Sequence, residues 1–168
     1  MDILFCIMFC MKNLPKYKRC FICGKENPIG LNLTFQTDKD KVFVKFTLNE
    51  KYIGYKDRIH GGIAASVLDE IMGWACSVKT KKLYYTVELR IRYKMPIKPN
   101  IELFAEAYAK EFKKFIGYAK AVLKDDKGNV LALAEGKYFP IDEESEKEIF
   151  GMLHHEPEDG KPVTKNDI

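Results

Sequence analysis

The segment His60-Gly61-Gly62-Ile63-Ala64-Ala65-Ser66-Val67-Leu68-Asp69-Glu70-Ile71-Met72-Gly73-Trp74-Ala75 combines two groups that could act on a carbonyl. It reads as a helix opened by a glycine pair. Unpaired backbone N–H groups at a helix start, aided by the positive end of the dipole, stabilise an oxygen that is gaining negative charge. Gly61 is placed for that because it has no side chain to block the approach. Asp69 supplies a carboxylate able to activate water or to attack directly. The two lie eight residues apart, about 12 Å along a helix at ~1.5 Å per residue, too far for one carbonyl to touch both. Antiparallel pairing of two helices about a two-fold axis would set Gly61 of one protomer opposite Asp69 of its partner.

The helix pattern suits such pairing. At 100° per residue, Ile63, Ala64, Val67, Leu68, Ile71, Trp74, Ala75 and Val78 form a broad apolar arc. Gly62, Ser66, Asp69, Gly73 and Ser77 fall opposite, at spacings of 4, 3, 4 and 4. Solvated helix faces usually carry Lys and Glu. Glycine inside a helix costs about 0.5–1 kcal/mol relative to alanine, so Gly73 points to close approach by another backbone or a thin ligand arm. Glu70, at the edge of the arc, is expected to be solvated or salt-bridged. Ser66 reads as a close-packing residue rather than a nucleophile. His60 either lines the site or caps the helix through its side chain.

The surrounding elements are strands. Leu31, Leu33 and Phe35, then Val42, Val44, Phe46 and Leu48, alternate before the helix. After it, Val87, Leu89, Ile91, Tyr93 and Met95 share one strand face, with Thr86, Glu88, Arg90, Arg92 and Lys94 on the other. Ile101, Leu103, Ala105, Ala107 and Ala109 line a second strand, and Phe115, Gly117, Ala119, Ala121 and Leu123 a third. The turn Asp125-Asp126-Lys127-Gly128-Asn129 leads to a fourth, with Val130, Ala132, Ala134, Gly136 and Tyr138 on one face. Short turns imply antiparallel neighbours. Faces rich in Ala and Gly suit a sheet curled around a helix, whereas a flat sandwich would want Val, Ile and Leu. The expected class is α+β: a hotdog arrangement of about six antiparallel strands around one long central helix.

The run from His60 to Asp69 resembles the PaaI-like hotdog-fold acyl-CoA thioesterases. So do Thr86-Val87-Glu88-Leu89-Arg90-Ile91-Arg92-Tyr93, ending at Pro96, and Cys20-Phe21-Ile22-Cys23-Gly24 followed by Asn27-Pro28-Ile29-Gly30-Leu31. The resemblance spans roughly residues 20–140. It implies thioester hydrolysis in a homo-oligomer, dimeric at least, with dimers or dimers of dimers left open. Asp69 would be general base or nucleophile, Gly61 the oxyanion donor of the partner chain, and His60 a further member of the site. Gly62, Ser66 and Gly73 would lie along the substrate. Arg90, Arg92 and Lys94 form a basic stripe that could meet the phosphates of coenzyme A, or simply a solvated strand face. Two departures from the family pattern bear on turnover. Residues 52–59 contain no Asn or Gln to position water, Asp57 and Arg58 being the nearest polar groups, and Gly73 stands where a Ser or Thr is common. A non-catalytic acyl-CoA-binding or sensing protein of the same fold is the alternative. No DNA-binding helix pair is visible in residues 1–30, and a hotdog dehydratase has a different His/Asp arrangement.

Composition sets outer bounds. The chain has 168 residues and a net charge of +4, from 28 basic and 24 acidic residues without a dense basic run, which disfavours nucleic acid as partner. Residues 20–140 form the expected hotdog domain, with an N-terminal extension over 1–19 and a charged tail over 141–168. Within that tail, 143–150 suits a short helix and the rest a flexible segment. His154 and His155 read as an exposed pair. The apolar run Ile3-Leu4-Phe5-Cys6-Ile7-Met8-Phe9-Cys10-Met11 is too short to span a bilayer, which takes ~20 residues, and lacks signal-peptide features. Met11 is a candidate native start. Five cysteines, an odd number, suggest free thiols in a reducing cytoplasm. Cys20 and Cys23 form a CxxC pair, but two cysteines do not close a structural zinc site. They read as a buried turn, and neither metal nor cofactor is expected. Trp74, Tyr84, Tyr85, Phe104 and Tyr108 could shape an acyl pocket, although all five could be ordinary core.

Overall fold

A computed structural model describes residues 11–158 and 160–168. The expectations for residues 1–10, including Cys6 and Cys10 and whether these residues are native, lie outside the described residues. The strands are β1 (Lys12–Asn13), β2 (Lys16–Tyr17), β3 (Gln36–Thr37), β4 (Val42–Thr47), β5 (Ile53–Tyr55), β6 (Arg58–Ile59), β7 (Tyr84–Tyr93), β8 (Glu102–Lys113), β9 (Ile116–Asp125), β10 (Val130–Pro140) and β11 (Leu153–His154). The helices are α1 (Gly61–Thr80) and α2 (Glu143–Met152). Seven strands form one antiparallel sheet in the order β1-β3-β4-β8-β9-β10-β7. The small ladders β2/β11 and β5/β6 stand apart from it.

The sheet curls around α1, as the Ala- and Gly-rich faces predict. Ala105, Ala107, Ala119, Ala121, Ala132 and Ala134 are all buried beneath the helix. From the helix, Ala64, Val67, Leu68, Ile71, Trp74, Ala75 and Val78 are buried, and Met72, Cys76 and Ser77 join them. Each large aliphatic side chain buried in this way contributes roughly 1.5–3 kcal/mol. Small residues on the sheet bring the helix close, so that this burial is dense. Gly136 makes room for its strand neighbour Tyr138, since a Cβ there would lie 2.5 Å from the Tyr138 ring.

Four local expectations are corrected. Residues 31–35 form no ladder strand, although Leu33 and Phe35 are buried. Leu31 and Leu33 N–H donate to the Phe21 and Ile22 carbonyls at 2.9 Å, so the segment is bonded to the N-terminal loop instead. Phe115 sits in the β8/β9 turn and is 70% exposed rather than inward. Among the described residues, strand β7 lies at the sheet edge and pairs on one side only, with β10. Its expected inner face is therefore only partly covered, and Val87, Tyr93 and the following Met95 stay exposed.

The fourth correction concerns residues 141–168, which pack onto the domain. Asp142 caps α2 by accepting from Ser145 N–H, and Ile141, Phe150, Val163 and Ile168 are buried. Buried Glu146 accepts from Leu83 N–H at 2.8 Å, and buried Lys16 pairs with Glu156. His154 and His155 are likewise largely covered, with side chains 11% and 19% exposed.

Candidate functional site

The helix start is built by His60. Its imidazole Nδ1 accepts from Gly62 N–H at 2.9 Å, and its carbonyl accepts from Ile63 N–H at 3.0 Å. Of the two side-chain roles open for His60, the structure contains the cap. That bond occupies the Gly62 N–H and leaves the Gly61 N–H without an acceptor among the described residues. The Tyr93 hydroxyl donates to the Gly61 carbonyl, and a Cβ on Gly61 would lie 3.1 Å from that hydroxyl oxygen. The missing side chain thus admits the tyrosine.

Asp69 is half-buried, one helical turn beyond Ser66. One carboxylate oxygen, Oδ1, accepts from Thr86 Oγ1 at 2.9 Å and from the Tyr138 hydroxyl at 3.1 Å. Burial, with the Asp69 charge adding to it, pushes the Tyr138 phenol above its ordinary range, so it serves as a neutral donor. Neither partner was legible as part of the site. Tyr138 is an inward residue of β10, whose alternation alone says core. Thr86 was expected on the outer face of β7 with Glu88. A β-bulge opposite Lys137/Tyr138 pairs Lys137 with Glu88 but Tyr138 with Thr86, which turns Thr86 to the helix side.

The small face of α1 is partly self-satisfied. Ser66 and Ser77 hydroxyls donate back to the Gly62 and Gly73 carbonyls at 2.9 and 3.1 Å. Ser77 is buried, not on an open face. A Cβ at Gly73 would meet Tyr138 at an ordinary 3.6 Å, so nothing among the described residues demands glycine there.

Asp69 opens onto a cavity of about 250 Å³ whose apolar wall includes Trp74, Leu83, Tyr84, Ile141 and Ile149. Of the five aromatic residues considered for a pocket, Trp74 and Tyr84 line this one. Tyr85 and Tyr108 are exposed elsewhere, and Phe104 packs on Phe43. The basic stripe divides. Lys94 lies with Arg58 in the groove that holds Gly61 and Tyr93. Arg90, paired in register with Glu135, lies in a mixed-charge groove with Glu88 and Lys137, and Arg92 pairs in register with Leu133 on that same face.

The cavity also brings in Cys20, Cys23 and Glu70. Among the described residues Glu70 has no salt-bridge partner. It is half-buried, both of its oxygens lie 3.7 Å from Cys20 Sγ, and burial pushes its carboxyl up to about 8. The Cys20 thiol is lowered to about 6, chiefly by a hydrogen bond with the Cys23 thiol, which is itself raised by that bond. Burial pushes Cys76, in the core, up to about 12.

Residues 57–132, from just before the helix into β10, match the model of the thioesterase superfamily. No curated protein matches the chain. Among solved structures, a thioesterase-superfamily protein, RHA08564, shares 21% identity at a TM-score of 0.67, over 73% of this chain and 60% of its own. The chain therefore spans less than two thirds of that relative. Escherichia coli PaaI shares 19% identity at a TM-score of 0.61, over 67% of this chain and 81% of its own. A Streptococcus mutans protein bound to acetyl CoA shares 20% identity at a TM-score of 0.57, over 61% of this chain and 82% of its own. The fold is the hotdog. No described helix is long and apolar enough to cross a membrane.

Proposed function

We propose that this chain, a PaaI-like hotdog protein of the thioesterase superfamily, hydrolyses acyl-CoA thioesters to free acid and coenzyme A at composite sites between two protomers. The observation that carries the reading is the Asp69 carboxylate, held by two hydroxyls at the rim of a largely apolar cavity. A carboxylate that only faced solvent would have no need of Thr86 and Tyr138.

In this mechanism the acyl chain lies in the cavity and the thioester carbonyl sits beside Asp69. Asp69 takes a proton from water as the water oxygen adds to the carbonyl carbon, or attacks that carbon itself. The carbonyl oxygen gains charge and is met by the free Gly61 N–H of the partner protomer. Collapse expels the coenzyme A thiolate, which takes the proton that Asp69 drew from water. On the direct-attack route, water then hydrolyses the acyl-Asp69 anhydride to free acid and regenerates the carboxylate, and the proton released goes to the thiolate. Within one chain Gly61 and Asp69 stand eight residues apart on a continuous helix, which supports the pairing. The free edge of β7 supports it as well. A ten-residue strand with exposed Tyr85, Val87 and Tyr93 is a template for a second copy. Lys94 and Arg58, next to Gly61, suit the coenzyme A phosphates; Arg90 and Arg92 belong to the opposite sheet face. A Streptococcus mutans neighbour is bound to acetyl CoA, and a Streptococcus pneumoniae hypothetical thioesterase is seen with coenzyme A.

The test is free-thiol release from short, medium, long and aromatic acyl-CoAs, with wild type and Asp69→Asn compared. Turnover that collapses in the variant is the expected result. Tight binding without turnover in either protein replaces hydrolysis with the binding or sensing reading.

A further inference from the structure

The N-terminal loop and the third turn of α1 bring three donor atoms together. Cys20, Cys23 and Glu70 each offer one ligand atom, and these atoms lie within 4.8 Å of one another. Cys20 Sγ is 3.7 Å from each Glu70 carboxylate oxygen. Around a tetrahedral ion, a thiolate at ~2.3 Å and a carboxylate at ~2.0–2.2 Å stand about 3.5 Å apart. That edge of the coordination polyhedron is already formed to within a few tenths of an ångström.

The loop holds the Cys20 sulfur in place by its own bonding. Ile22 and Cys23 N–H donate to Cys20 Sγ at 3.2 and 3.4 Å, and Gly24 N–H closes the turn on the Cys20 carbonyl at 3.0 Å. A Cβ on Gly24 would fall 2.4 Å from the Lys18 carbonyl oxygen, so the turn exists only with glycine there. Backbone donors that fix a thiolate are the support a metal ligand requires. Charge points the same way. Two thiols and a carboxylate, all acids, share a site in which Cys23 is 2% exposed, and among the described residues no Lys, Arg or His pairs with Glu70. Deprotonated together they repel; a divalent cation between them removes the repulsion.

We infer that Cys20, Cys23 and Glu70 form a binding site for a thiophilic divalent cation of the zinc class. Two thiolates select such an ion over magnesium or calcium. Three protein ligands leave a fourth position, the pattern of sites that keep an exchangeable ligand. Because all three residues line the cavity that holds Asp69, that position is filled from the cavity. Binding releases the ligands' remaining protons to solvent. The site stands independently of thioester hydrolysis.

The test uses the full chain, reduced and stripped with chelator, then titrated with Co²⁺ as a spectroscopic probe. One equivalent should produce thiolate-to-cobalt charge-transfer absorption and the intense visible bands of a four-coordinate ion, both erased by one equivalent of Zn²⁺. Cys20→Ser and Cys23→Ser should each lose the charge-transfer band. Glu70→Gln, which keeps both sulfurs and the shape of the side chain, should weaken binding roughly tenfold or more. A Cys6→Ser/Cys10→Ser double variant should bind as wild type does. Wild type without a one-equivalent band overturns the site, as does a band that survives loss of Cys20 or Cys23. Loss of the band in the Cys6/Cys10 variant overturns the three-residue ligand set. A mass lower by two hydrogens in the unreduced protein, with no metal uptake after reduction, assigns the pair to a disulfide instead.

Discussion

Removing the Tyr138 hydroxyl should cost both stability and turnover, and in a proportion that differs from Thr86. The Tyr138 side chain is 1% exposed, and its hydroxyl donates to Asp69 Oδ1 at 3.1 Å and approaches the Asp69 carbonyl at 3.2 Å. In Tyr138→Phe the ring stays in its socket over Gly136 while the carboxylate loses a buried donor. Hydrogen bonds to charged groups are worth about 1.5–3 kcal/mol. Asp69 is half-buried and keeps Thr86 and access to water, so the lower end, ~1.5 kcal/mol, applies. For a chain of this length that is a fall in Tm of about 3–6 °C. Thr86 is exposed, and water replaces its bond in Thr86→Val, for a stability cost below ~1 kcal/mol. Both hydroxyls orient the same carboxylate oxygen, so each variant should lower kcat about tenfold with KM little changed. Losses in the double variant should be non-additive, because the partners share one acceptor. Urea unfolding at pH 7 and steady-state thiol release measure the two axes. If both single variants keep kcat within twofold of wild type, the hydroxyls do not hold Asp69 for catalysis. If Thr86→Val costs as much stability as Tyr138→Phe, the burial argument fails.

Three further outcomes follow from other parts of the molecule. Val87→Glu places like charges near the edge where two β7 strands would meet, and should weaken self-association at least tenfold by light scattering while abolishing turnover; a wild-type monomer with full activity refutes the composite site. In metal-free protein, iodoacetamide should alkylate Cys20 with a midpoint near pH 6, while buried Cys76, pushed up to about 12, stays unreactive; a Cys20 midpoint above pH 8 contradicts the hydrogen-bonded turn. Buried Lys16 holds the Glu156 carboxyl below its ordinary value, so the pair stabilises the fold above about pH 4.5 and loses that contribution as pH falls through the lowered folded value. Glu156→Gln should cost about 2 kcal/mol at pH 7, less than for a fully buried pair because Glu156 is about a third exposed, and the difference from wild type in urea midpoint should shrink below pH 4.

The fold was legible where one periodicity governed a whole element. The apolar arc of α1 and the alternation in β8, β9 and β10 each name their buried faces, because every second or every third to fourth residue must meet the same core. Residues 31–35 carry an equally clear alternation, yet alternation reports burial, not the destination of the N–H groups. Those go to the Cys20–Gly24 loop, a long-range pairing that no local pattern encodes. The charged segment 141–168 misleads for a related reason. Few apolar residues are needed to seat it, and Ile141, Phe150, Val163 and Ile168 do so, while Glu146 and Lys16 are buried with specific partners.

Glu70 and Thr86 escaped for different reasons, one tertiary and one local to a strand. Asp69 and Glu70 are neighbours 100° apart, so the helix aims them at different walls of one cavity. Asp69 was singled out by its distance from Gly61; Glu70 was assigned to solvent because its partners lie fifty residues earlier, in a loop whose relation to the helix is purely tertiary. Thr86 was lost to one inserted residue. Strict alternation assigns it to the face of Glu88 and Arg90, and a bulge reverses that assignment, since a shift of one moves a side chain across the sheet. The bulge also accounts for why the basic stripe does not surround Asp69: Arg90 and Arg92 keep the outer face from which Thr86 was removed. Under the proposed composite site, the cations that would accompany a partner's Gly61 to Asp69 are Lys94 and Arg58, which share the Gly61 groove.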